Sequence, residues 1–329
     1  MLDITVIVPC YNSGRYLAKC IDSLVSQSVE LKEILIINDG STDDTLEIAE
    51  EYQKIYKNIN IISKENAGLP QARATGVKYA VGQYLGFVDS DDWASHDMYE
   101  KLYNEISVNK ADIAACGYMT CDENNKQAKV IGSKKNSVVS SEEALQIIHC
   151  RTGVFTFMCN KLYKKKLFDD VVFPEGNFIG EDYITNIQIF SRDLKVAWIQ
   201  DPLYYYFQSS NSMSRGGFNK SYYISMEQYK KAEIFLNNKQ PNQKAFVSCY
   251  LAVEYLSFVV AMAKNKKYDY AIIKYIKKYL CKNLSCIIKN KEFSFLYKLC
   301  VFVMIIDYRF LIFMYRLKTR NKVLRKLFK

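Results

Sequence analysis

The chain has 329 residues, 45 of them Lys or Arg against 35 Asp or Glu, with two His, ten Cys and thirteen Gly. That length suits one large domain or two smaller ones, and 49% hydrophobic with 24% charged residues excludes wholesale disorder, collagen-like repeats and low-complexity sequence. Disulfide scaffolds fail on the same composition, and zinc ribbons are excluded because no Cys-x-x-Cys occurs and His96 and His149 stand far apart.

The amino-terminal part alternates between apolar runs and helical periodicity. Residues 4–8 form a buried-strand run, and Leu17, Cys20, Ile21, Leu24 and Val25 recur at helical spacing after a cap at Asn12 or Ser13. Residues 34–37 are a second strand closed by Asn38-Asp39-Gly40, and Ser41-x-x-Asp44 predicts a capping box for a helix through Leu46, Ala49 and Tyr52. Residues 59–63 are a third strand, followed by Asn66-Ala67-Gly68 and a helix over 70–79. A fourth, 84–88, runs into Asp89-Ser90-Asp91-Asp92. Such alternation with continuous apolar strands predicts a doubly wound parallel sheet, whose ligands bind past the carboxyl ends where strand order reverses. Further on, 111–118 predicts a strand, 122–136 a polar surface excursion, and 141–149 a helix capped by Ser141. After Phe218 the pattern is helical.

The charge is uneven. From Lys264 to Lys329 there are 18 Lys and Arg against three acids, so a slightly acidic body carries a strongly basic tail. The cysteines lie mostly in apolar runs, as Cys20, Cys116 and Cys300 do, and read as small buried hydrophobes. With an opening MLDITVIVPCYN that has no charged leader, the expected setting is a reducing cytoplasm.

Asp89 and Asp91 are the sharpest chemical signal. Two carboxylates two apart at a strand end point the same way and suit a hard divalent cation that shares its shell with phosphate oxygens; a polar turn is the plainer reading. Asp39 ends the second strand, placed to accept from a base imide or ribose hydroxyl, or to make an Asx-turn. Arg73 lies one turn into the third helix, a partner for diphosphate or Asp39, or an exposed helix charge. There is no glycine-rich phosphate loop after the first strand, so a bound diphosphate would be neutralised by metal at Asp91.

Together Ile4-Thr5-Val6-Ile7-Val8-Pro9-Cys10-Tyr11-Asn12, Asn38-Asp39-Gly40-Ser41-Thr42-Asp43, Asn66-Ala67-Gly68, Ala72-Arg73 and Asp89-Ser90-Asp91-Asp92 resemble the family-2 inverting glycosyltransferases. The match extends through Asn160-Lys161-Leu162-Tyr163 and Gly180-Glu181-Asp182 to the segment 204–214. The resemblance implies a GT-A fold: a Rossmann-like α/β arrangement with a mixed, mainly parallel sheet flanked by helices. It implies a UDP-sugar donor held by Pro9, Tyr11, Asp39, Asn66, Gly68, Arg73, Asp89 and Ser90, with Asp91 on Mn²⁺ or Mg²⁺. Asp182 would be the catalytic base, deprotonating an acceptor hydroxyl as it attacks the anomeric carbon; Glu181-Asp182 also reads as acids favoured at a helix start. Glu181, Lys161 and Arg215 are expected near the acceptor or behind the site. Relatives often carry an Arg or His before the final serines of the 204–214 segment; here Arg215 is the first base.

Residues 293–315 are apolar but interrupted by Lys298, Asp307 and Arg309, and the uninterrupted 299–306 is too short for a bilayer, which needs about 20 residues. Residues 316–329 place Leu317, Val323, Leu324, Leu327 and Phe328 among seven bases, the composition of an amphipathic helix on an anionic leaflet. No nucleic-acid module is present. The expected organisation is a catalytic domain over 1–218 and a helical, membrane-facing region over 219–329. The expected reaction is metal-dependent, inverting transfer from a UDP-sugar to a saccharide acceptor, lipid-diphosphate-linked or part of a surface polysaccharide, on the inner face of the plasma membrane. The alternatives are a nucleotidyltransferase, which would carry a basic glycine-rich loop after the first strand, and a non-catalytic sugar-nucleotide-binding protein.

Overall fold

The computed structural model describes residues 1–122, 127–132, 135–149, 156–208 and 217–320. It divides into two compact units, Met1–Ile148 with Thr152–Ser210 and Asn211–Lys329 with His149–Arg151.

In the first unit the apolar runs become strands longer than their apolar cores. β1 (Leu2–Cys10), β2 (Leu31–Asp39), β3 (Ile59–Lys64) and β4 (Tyr84–Phe87) are parallel, with Val6 beside Ile34 on one side and Gly86 on the other. α1 (Gly14–Val25), α2 (Thr45–Ile55) and α3 (Leu69–Tyr79) make the crossovers. Short β5 (Trp93–Ala94) and α4 (Met98–Asn109) follow, then β6 (Ile113–Cys121), β7 (Gln127–Ile131), β8 (Ser137–Ser140) and α5 (Ser141–His149). β9 (Lys161–Lys164), α6 (Glu181–Phe190) and β10 (Lys195–Phe207) complete the unit. The sheet order is β3-β2-β1-β4-β9-β6-β10-β5, with β9 antiparallel to both neighbours and β10 parallel to β6. The sheet is therefore mixed, and order reverses between β1 and β4.

Local chemistry departs from expectation in four places. α2 begins at Thr45, and Ser41 does not cap it: its hydroxyl accepts the Asn12 N–H at 3.1 Å, while Asp43 accepts the Thr45 N–H at 3.1 Å. The capping box lies instead at the start of α5, between Ser140 and Glu143, which exchange bonds of 2.8 and 3.2 Å. Ser141 turns its hydroxyl to the Arg192 carbonyl. The expected excursion over 122–136 contains β7, antiparallel to β6. β4 ends at Phe87, one residue early, because the chain turns at once: the Asp92 N–H closes on the Asp89 carbonyl at 2.9 Å.

The second unit is helical: α7 (Ser221–Lys239), α8 (Lys244–Asn265), α9 (Tyr270–Lys289), α10 (Phe295–Ile306) and α11 (Tyr308–Arg320). Residues Pro241–Asn265 are long and apolar enough to cross a bilayer, yet 78% of their most apolar stretch is buried. Helices α10 and α11 are separated at Asp307, whose backbone is extended, so 293–315 is not one helix. The expected amphipathic segment lies outside the described residues from 321 onward. The nine described cysteines are free, six of them buried.

Glu33 is a buried carboxyl group of the first unit, 3% exposed. Its carboxylate accepts from the Thr5 hydroxyl at 2.7 Å, the Val81 N–H at 3.0 Å and the Asn60 amide at 2.8 Å. It thereby ties β1, β2, β3 and the turn before β4. Glu33→Ala strands one buried donor, the Thr5 hydroxyl, and frees two part-buried ones, and should lower unfolding free energy by about 1–3 kcal/mol. Denaturant midpoints check this, and an unmoved midpoint would show the bonds contribute nothing net.

Candidate active site

The polar clusters gather where the topology places them, past the carboxyl ends of β1, β2 and β4. Asn12, in the left-handed region at φ 49, accepts the Thr42 N–H at 2.8 Å, and the Ser13 N–H reaches the Thr45 hydroxyl at 2.7 Å. Ser13 and Ser90 share a hydroxyl bond of 2.7 Å, joining the β1 and β4 loops. Pro9 is buried in β1 beside Ile37, whereas Tyr11 is 52% exposed above it.

Asp39 is 2% exposed and already committed within the fold. It accepts the Ala67 N–H at 3.1 Å, the Gly68 N–H at 2.8 Å and Lys64 Nζ at 2.6 Å. Its partner is thus Lys64, not Arg73. Gly68 opens α3 at φ 91, a backbone conformation that favours glycine, and a Cβ there would have to displace the side-chain amide of Asn177. Asn66 is exposed.

Arg73 lies inward, 2% exposed, against the reading of an exposed helix charge. One guanidinium nitrogen donates to Asp182 at 2.5 Å and another to Asp89 at 2.8 Å, with Glu181 3.9 Å away. Its Nε has no partner among the described residues. Asp182 sits in the first turn of α6 and also accepts the Met158 N–H at 3.2 Å. Burial raises its affinity for a proton and Arg73 opposes that, which suits a carboxylate that must stay ionised yet accept a proton. Glu181 is held well above the usual carboxyl range by burial and by Asp182.

Asp89, Ser90 and Asp91 lie in a turn, so strand periodicity does not align the two carboxylates. Asp89 faces Arg73. Burial, then the neighbouring Asp89, pushes Asp91 up to about 6, and no other side chain among the described residues donates to it. One uncommitted hard-oxygen donor fits a divalent cation that completes its shell with diphosphate oxygens and water. No cluster of three or more His, Cys, Asp or Glu arranged for a metal occurs among the described residues, so this chain supplies no full cage.

Lys161 is fully buried, its affinity for a proton lowered to about 7 by burial. It donates to Asn160 at 2.8 Å and to the Phe157 carbonyl, which ties it to that segment. Arg215 lies outside the described residues. Sequence reasoning gave no role to Asp92 and Tyr204. Asp92 is 1% exposed and accepts the Tyr204 hydroxyl at 2.5 Å and the Phe207 N–H at 2.7 Å, while the Asp89 N–H donates to the Tyr204 oxygen at 3.3 Å. A third carboxylate after Asp89 and Asp91 was the available signal. A cleft beside this network is lined by Asp89, Asp92, Tyr118, Phe157, Tyr204 and Tyr206, with the last ring stacked 5.6 Å from Phe157.

Comparison with known proteins adds a family. The model of Glycosyl transferase family 2 matches residues 5–172. Glycosyltransferase GlyA of Streptococcus pneumoniae is 36% identical over 64% of this chain, which spans 31% of that relative's length. Glycosyltransferase GlyG of the same organism is 30% identical over 67% of this chain and 75% of its own. Residues 1–349 of S. aureus TarS, solved with UDP-GlcNAc, share the fold at TM-score 0.70 and 18% identity, over 96% of this chain and 92% of that one.

Two consequences concern stability. Arg73→Lys keeps the charge but not the fork that reaches two carboxylates, and should cost about 2–4 kcal/mol in denaturant unfolding; an unchanged midpoint would show the bridge adds nothing. Glu181 binds its proton more tightly in the folded chain than in the unfolded one. Its stabilisation is therefore present at low pH and lost as pH rises through the raised folded value. Glu181→Gln should flatten the fall in Tm from about pH 5 to about pH 8, and equal slopes in both proteins would contradict this.

Proposed function

The chain belongs to glycosyl transferase family 2, and we propose that this glycosyltransferase moves a sugar from a UDP-sugar to a saccharide hydroxyl with inversion. The observation that carries the reading is the placement of Asp182: at a helix start, oriented by Arg73 and the Met158 N–H, and linked through Arg73 to the Asp89 turn. In this reading Asp182 takes the acceptor proton as the acceptor oxygen bonds to the anomeric carbon and the bond from that carbon to the diphosphate breaks. One displacement inverts the centre, and UDP leaves. Tyr11, Asn66, Gly68, Asp89 and Ser90 line the donor's place, while Pro9, Asp39 and Arg73 shape it from behind. Asp91 would hold Mn²⁺ or Mg²⁺, which when bound offsets the charge of the leaving diphosphate.

Support for uridine comes from TarS, solved with UDP-GlcNAc on the same fold. Support for a surface-polysaccharide acceptor comes from relatives that include a Poly(ribitol-phosphate) beta-glucosyltransferase, 31% identical over 62% of this chain. We read the acceptor as lipid-diphosphate-linked and the enzyme as working on the inner face of the plasma membrane, a reading that the basic carboxyl-terminal composition supports. The domain reading is a catalytic region over 1–218 with a membrane-facing region over 219–329.

UDP release from a panel of UDP-sugars, with Mn²⁺ and then with EDTA, tests the reaction. One donor should turn over slowly, and turnover should vanish with EDTA and in Asp91→Ala. Asp182→Asn should lower transfer by about 100-fold or more while donor affinity stays nearly unchanged. Absence of donor binding by calorimetry would sink the reading.

A further inference from the structure

Helices α10 and α11 present a row of large apolar side chains to solvent. Phe295, Leu299, Phe302 and Ile306 follow at steps of four, three and four on α10; Phe310, Phe313 and Leu317 follow at three and four on α11. These seven are between 41% and 81% exposed, whereas Val301, Met304, Leu311 and Ile312 of the same helices are buried. Steps of three and four define one face of a helix. Each helix thus has a buried apolar side and a second, exposed one, where a soluble helix would carry polar residues.

The charge that this row adjoins in the sequence selects its partner. From Phe295 to Lys329 the sequence has nine Lys and Arg and one acid, Asp307, which is ion-paired to Arg309 at 2.5 Å. A second copy of the chain would bring the same positive charge to the contact and be repelled. A surface of anionic lipid headgroups over acyl chains meets both the charge and the apolar row. We propose that the exposed face of α10 and α11 docks this enzyme on an anionic bilayer, with the phenylalanines at the headgroup–acyl boundary and the bases at headgroup level. The proposal rests on the membrane-surface location given above and names the face responsible.

The test is co-sedimentation of the full chain with vesicles of phosphatidylcholine alone or mixed with phosphatidylglycerol. The wild type should bind the anionic vesicles at least about tenfold more tightly than the neutral ones. Phe302→Glu with Phe313→Glu, both at exposed positions, should weaken that binding by about 100-fold, with far-UV circular dichroism and Tm unchanged. If the double variant binds like the wild type while Arg325→Gln with Lys326→Gln releases it, the location stands and the docking face is wrong. If the wild type ignores anionic vesicles, both fall, and UDP release in solution still decides the transferase reading on its own. If ultracentrifugation shows an oligomer that the double variant dissociates, without vesicle binding, the face joins copies of the chain and the proposal is overturned.

Discussion

A buried guanidinium bridging two carboxylates holds the active-site end of the first unit together. Arg73 is 2% exposed, and a cation so placed is tolerated only because Asp89 and Asp182 neutralise and bond it. The pairing spans 109 residues of chain on one side and 16 on the other, so it fixes α6 and the β4 turn relative to a single point on α3. The position of Arg73 is set in turn by how α3 begins. Asp39, at the end of β2, grips the Ala67 and Gly68 N–H groups at the first turn of α3. Gly76 lets the same helix approach β1, since a Cβ there would overlap Ile7. Asp39 seats the helix, the helix seats Arg73, and Arg73 aims Asp89 and Asp182.

That dependence explains an electrostatic arrangement that would otherwise be unstable. Asp89, Glu181 and Asp182 face one arginine, with Asp91 and Asp92 following Asp89 in the same turn, and like charges at short range raise each other's proton affinity. The carboxyls divide by partner. Asp182 and Asp89 share Arg73; Asp92 accepts from Tyr204 and the Phe207 N–H; Asp91 is left with burial and repulsion, which push it to about 6. Disfavoured as a lone anion and without a side-chain donor among the described residues, Asp91 rather than its better-bonded neighbours is the carboxylate proposed for a divalent cation.

The parallel β3-β2-β1-β4 core and its reversal point were legible because each strand is a continuous apolar run closed by turn residues, and period is a local property. The capping box at Ser41 was misread because its hydroxyl is taken by Asn12, 29 residues away, and helix α2 starts only at Thr45. Of the two readings of Asp89 and Asp91, the structure has the polar turn and not the aligned strand end, because β4 ends at Phe87. That Arg73 faces the crevice was legible, but its partners were not: alternation patterns say which face of a helix is apolar, and cannot show that a charge on it meets acids from the turn after β4 and from α6. Motif order identified the family; only tertiary pairing sorted which acids bond to what.

The second unit makes the same point with hydropathy. Helix α8 and helix α10 are both rich in apolar residues, and composition alone gives them similar fates. An apolar helix that neighbours surround becomes core, as α8 does, with Leu251, Tyr255, Phe258 and Met262 at 0% exposure. Helix α10 is covered on one side only, so Phe295, Phe302 and Ile306 remain in solvent at 81%, 42% and 70%. Fully burying a large apolar group that was exposed gains about 1.5–3 kcal/mol, so a row of seven, each already partly covered, forgoes an amount comparable to a typical margin of folding stability. What decides whether an apolar helix is core or contact surface is how many neighbours the fold supplies, and α10 with α11 at the chain's carboxyl-terminal side is supplied with too few.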